Sequence, residues 1–71
     1  MDYAVGQFWR VKPKKGSLDY VIKIKEIRDV NNIVCQWMDN KEYVFMDTKR
    51  LEKDFRKIGK AEYIKWHLKN G

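Results

Sequence analysis

Few residues in this chain are of a type that carries out reactions: one histidine (His67), one cysteine (Cys35), one serine and one threonine. Nucleophilic and acid–base catalysis need such groups to converge on a point with a partner that activates them. Four lone residues spread along the chain offer no such pair. Cys35 lies between Ile33 and Trp37 in an alternating apolar set, the setting of a small buried thiol rather than a reactive one. His67 alternates with apolar neighbours, as a surface residue or an edge contact does. Glu52 and Asp54 stand among lysines and arginines, which suits solvated ion pairs better than an acid–base dyad. One Cys and one His fall short of a structural zinc site, a single cysteine makes no internal disulfide, and there is no glycine-rich phosphate loop. The expectation is a protein that is not an enzyme and uses no metal or cofactor.

Binding chemistry is better represented. The 71 residues hold 16 Lys or Arg against 10 Asp or Glu, a net charge of +6, and 14% are aromatic. That balance favours polyanionic partners, and the aromatic content suits a packed core rather than a disordered basic tail. The charge is also segregated: residues 1–15 carry +3, residues 29–48 carry −3 and residues 49–60 carry +4. A surface with two poles follows if the chain ends meet. No apolar run approaches the roughly 18 residues of a spanning helix and no leader is evident, so we expect a cytoplasmic monomer with no membrane contact, forming one domain over residues 1–71.

The elements that must position these residues read mostly as strands. Val5 to Val11 alternates as a half-buried strand, and K-P-K-K-G-S after it reads as a loop. In Asp19 to Arg28, Tyr20, Ile22 and Ile24 share one face and Lys23 and Lys25 the other, while Ile27 has the wrong parity. A bulge or bend near Lys25 or Glu26 would turn Ile27 back inward. Asp29 to Asn32 signals a hairpin into a third strand through Ile33, Cys35 and Trp37, and Glu42 to Met46 is a fourth whose inward face the pattern leaves undecided. Leu51, Phe55 and Ile58 then recur at helical spacing, with Asp47 or Thr48 as cap and Gly59 as stop. The final A-E-Y-I-K-W-H-L fits a strand or a helix. Its aromatics, and the bare edge of the first strand, favour a strand.

Four strands, a short helix and a closing strand describe a mainly β chain, a five-stranded SH3-like barrel with one short helix between strands 4 and 5. Gly6, Val11, Gly16, Ile22 and Ile27 in V-G-Q-F-W-R-V-K-P-K-K-G-S-L-D-Y-V-I-K-I-K-E-I resemble the opening of such barrels, as in the KOW and Tudor groups. Over its whole length the chain resembles the YorP family, a group of small proteins associated with Bacillus and its resident phages. That resemblance implies the five-stranded fold and a phage or prophage origin. It implies no activity and no site residues.

In such a barrel the first strand pairs with the second and the last. Their outward residues would be Phe8, Arg10 and Lys12, then Lys23 and Lys25, then Tyr63, Lys65 and His67. Cations mixed with rings can hold phosphates while a base stacks, as single-strand binders do. A second basic row, Lys49, Lys53, Arg56, Lys57 and Lys60, would line the helix opposite its apolar stripe as auxiliary phosphate contacts. The three tryptophans, Trp9, Trp37 and Trp66, have inward parity. Tyr20 and Tyr43 could instead line a groove between the first loop and the middle hairpin, the mark of a protein-binding module. The expected partner is therefore nucleic acid or another polyanion, with a host or phage protein as the alternative.

Overall fold

The computed structural model describes residues 3–13 and 18–70. Five strands form one antiparallel sheet: β1 (Phe8–Val11), β2 (Val21–Asp29), β3 (Asn32–Trp37), β4 (Tyr43–Met46) and β5 (Phe55–Ile58), in the spatial order β4-β3-β2-β1-β5. Two helices accompany them, α1 (Thr48–Asp54) between β4 and β5, and α2 (Lys60–Asn70) after β5. The mainly β, five-stranded expectation and the helix between strands 4 and 5 are met. The sheet is open, however: β4 and β5 are its two edges, and among the described residues no ladder joins them. Most of the K-P-K-K-G-S loop, residues 14–17, lies outside the described residues.

Much of the local reading holds. The register of β2 on β3 shifts between Ile24 and Glu26, and Ile27 comes back half-buried against the core. One extra residue in β2 thus restores the inward parity that alternation alone would lose. The first strand starts later than expected, because Gly6 takes φ 95 and Gln7 N–H donates to Ala4 O at 3.2 Å in a turn. Val5 is left exposed.

The last third of the chain departs from expectation in two places. The helix begins where predicted, with Arg50 N–H donating to the Asp47 carboxylate at 2.7 Å. It stops at Asp54, and Phe55 is already extended at φ −128, ψ 160. Seven residues make a marginal helix, and only Leu51 anchors it in the core. Extending residues 55–58 instead gives β1 a four-residue ladder, from Val11 opposite Phe55 to Phe8 opposite Ile58. Gly59 therefore precedes α2 rather than ending α1, and its carbonyl accepts from Tyr63 N–H at 3.1 Å. The terminal segment expected as a strand is α2. With β5 already on the edge of β1, these residues have no edge there to pair with, and as a helix they cover a face of the sheet.

The sheet consequently packs on both sides. On the inner side Trp9, Ile22, Ile24, Ile33, Cys35 and Met46 meet Leu51 and Phe55. On the outer side Val21, Met38 and Ile58 meet Trp66, with Phe8 and Tyr63 beside them. Trp9 and Trp66 are both buried, on opposite sides, and Trp37 is half-buried. Cys35 is fully buried as expected, and burial pushes its thiol up to about 11.

Candidate nucleic-acid interface

The residues expected to bind sit where α2 lands. Alternation sends Phe8 and Arg10 to the outer side of β1. There Phe8 stacks on Tyr63 with centroids 4.0 Å apart and planes 6° from parallel. The two rings cover each other instead of offering faces to a ligand. Arg10 is held twice: Nε and Nη2 donate to the Asp19 carboxylate at 2.8 and 2.6 Å, and Nη1 to Glu62 at 3.1 Å. Arg56, opposite Arg10 in the ladder, also donates to Glu62. Two arginines and two carboxylates thus form a network across β1, β5 and α2. The hydrogen bond from Arg10 holds the Asp19 carboxyl below its usual range, and the guanidinium itself is raised. Glu62 is lowered chiefly by its hydrogen bond to Arg56 and next by Arg10. Lys12 is tied as well, its Nζ donating to Glu52 O at 2.7 Å, one of the open carbonyls at the end of α1.

The expected three-strand face is therefore largely a helix-docking face, and its third element is a helix. Of its cations, Lys25 and Lys65 remain exposed, and Lys23 is half-buried with Nζ 5.5 Å from the Phe8 centroid. His67 is exposed, 5.9 Å from the Tyr63 ring. Nor is the expected basic row on one helix: Lys49 and Lys53 are on α1, Arg56 and Lys57 on β5, and Lys60 opens α2. All five are exposed. Arg56 and Lys57 are adjacent in a strand, so they project to opposite sides of the sheet.

The rest of the outer side carries rings that sequence reasoning did not place. The register aligns one row across all five strands: Ile58, Phe8, Lys23, Gln36 and Tyr43. The helix covers the Ile58–Phe8 end, while Tyr43 at the other end is 62% exposed. Phe45, next on the same side of β4 and opposite Val34, is 58% exposed. The Arg28 guanidinium lies 5.5 Å from the Phe45 centroid and 3.3 Å from Glu26. Gln36, between Lys23 and Tyr43 in that row, donates its side-chain amide to Lys41 O at 3.0 Å. Lys25 and Glu26 fall between inward Ile24 and inward Ile27, so both belong to this side. The signal for β4 was present but two-sided: E-Y-V-F-M is apolar at both parities, and only its register against Cys35 and Ile33 assigns Val44 and Met46 inward.

A separate cavity of about 210 Å³ is lined by Tyr20, Trp37, Asp39 and Asn40. Tyr20 sits there as expected for the groove beside the middle hairpin; Tyr43 is instead on the outer side of β4. Among the described residues no three His, Cys, Asp or Glu gather as a metal site, and no helix is long and apolar enough to cross a membrane. The chain matches no protein-family model, no curated protein and no solved structure.

Proposed function

We propose that this chain is a small SH3-like binding domain of phage or prophage origin that holds single-stranded nucleic acid on the open half of its outer sheet face. The strand order, with β1 between β2 and β5, a bent β2 and a short helix before β5, supports the SH3-like reading. The whole-length resemblance to YorP supports the origin. The observation that carries the function is the pair of exposed rings, Tyr43 and Phe45, on one side of β4. Arg28 lies against Phe45, and Lys23 is in the same row as Tyr43.

Each part has a physical role. A base stacked on an exposed ring is worth about 1–3 kcal/mol whatever its identity, so two rings hold two successive bases with little sequence preference. Lys23, Lys25 and Arg28 outnumber Glu26 on this side and meet the phosphates. A duplex keeps its bases stacked inside and gains only the phosphate contacts, so the single strand is preferred. No covalent step is involved.

Fluorescence anisotropy of a labelled oligothymidylate tests this. Binding should weaken with salt on a log–log slope of roughly −1.5 to −2, as for two or three phosphates on a single strand. It should exceed binding of a duplex of equal length. No binding at low salt, or a preference for duplex, contradicts the proposal.

A further inference from the structure

The cavity beside the turn at Asp39–Lys41 has a different chemistry. Its walls are two rings: Tyr20 and Trp37 meet at 67° with centroids 5.5 Å apart. Its remaining lining is polar, from Asp39 and Asn40. Both ring-bearing residues are pinned by backbone. Tyr20 O accepts from Val11 N–H at 2.9 Å, while Trp37 N–H donates to Glu42 O at 2.8 Å and Trp37 O accepts from Lys41 N–H at 2.9 Å. Lys41 closes that turn at φ 64. The Asn40 side-chain Oδ1 accepts from Glu42 N–H at 2.9 Å, and its Nδ2 donates to the Glu42 carboxylate at 3.4 Å. The site is therefore formed before any ligand arrives, which lowers the ordering cost of binding.

The charges select the ligand. Asp39 pairs with no base among the described residues, Glu42 stands beside Asn40, and in this turn the two carboxylates Asp39 and Glu42 stand against the single cation Lys41. A phosphate would meet the unpaired Asp39 carboxylate here, and an uncharged apolar group would desolvate it without pairing it. A cation gains from both the ring faces and the carboxylate. Among biological cations, a guanidinium is planar, stacks on an aromatic face and presents donors in a fork that matches a carboxylate. We infer that the Tyr20–Trp37–Asp39–Asn40 cavity receives an exposed arginine side chain of a partner protein. The inference is independent of the nucleic-acid face.

The test is an NMR titration of the isotope-labelled chain with N-acetyl-arginine amide and, separately, with its neutral isostere N-acetyl-citrulline amide and with N-acetyl-lysine amide, at constant ionic strength. Saturable shifts at Tyr20, at the Trp37 indole N–H and at the Asn40 side-chain amide are expected with arginine and not with citrulline. Asp39→Asn, an exposed loop change, should weaken the arginine effect roughly two- to fivefold. Tyr20→Leu should weaken it by a similar factor, about two- to fivefold. An oligonucleotide should leave these signals in place. No saturable shift, equal shifts with citrulline, tighter binding of N-acetyl-lysine amide, or an unchanged affinity in D39N overturns the inference.

Discussion

The two halves of the outer sheet face are built from the same residue types and have opposite fates. Over β1 and β5, Phe8 meets Tyr63, and Arg10 and Arg56 meet Asp19 and Glu62. Over β3 and β4, Tyr43 and Phe45 meet solvent, and Arg28 has one partially exposed carboxylate beside it. What separates them is α2, which lands on one half and stops short of the other. Rings and cations on a strand therefore say little about binding until the cover is known. In this chain one helix converts half of an aromatic, basic face into a docking surface.

The largest effect should come from removing the anchor of that helix. Trp66 is 4% exposed, packs with Val21, Met38 and Ile58, and donates its indole N–H to Asp19 O at 3.1 Å. Trp66→Ala should cost about 3–5 kcal/mol of stability in urea unfolding. A loss under about 1 kcal/mol, within the range of ordinary surface changes, would mean that α2 does not hold the covered half. Tyr43→Ala and Phe45→Ala come next. Each should weaken oligothymidylate binding by about 1–3 kcal/mol and change stability by no more than about 1 kcal/mol, since both rings are largely exposed. Phe8→Ala should do the reverse, costing stability more than affinity.

Acid should act on the covered half. Asp19 and Glu62 have lowered carboxyl values because guanidinium hydrogen bonds favour their charged forms. They bind protons less readily when folded than when unfolded, so their contribution is present above the ordinary carboxylate range near pH 4 and is lost as pH falls through the lowered values. Melting temperature should fall over that acidic window. Arg10→Met should flatten the fall, and an unchanged slope would show that the network contributes nothing. These groups are partly exposed, so the effect is modest. Smallest is the response of the inner side: buried Cys35, pushed up to about 11, should react with a thiol reagent at neutral pH only as fast as the chain unfolds. Rapid labelling would mean that the inner side is open.

Features decided by neighbouring residues were legible in the sequence. The bulge after Ile24, the hairpin at Asp29–Asn32 and the Asp47 cap are each written in adjacent side chains. The boundary between Asp54 and Phe55 was not, because Leu51, Phe55 and Ile58 fit a helix and only the vacant edge of β1, far off in sequence, favours the strand. For residues 61–68 the apolar positions alternate as in a strand. The helix buries Trp66 and half-buries Tyr63, and leaves Leu68 80% exposed. At the candidate site, Lys23 was legible from parity in a one-sided strand, whereas Tyr43 and Phe45 lie in a strand that is apolar on both sides.

The open half should bind single strands and the covered half should not. Aromatic side-chain NMR of the chain titrated with oligothymidylate observes both halves at once. The Tyr43 and Phe45 ring signals should move and saturate together while those of Phe8 and Tyr63 hold still. Movement of Phe8 and Tyr63 with Tyr43 and Phe45 unmoved, or no ring moving at low salt, would contradict it.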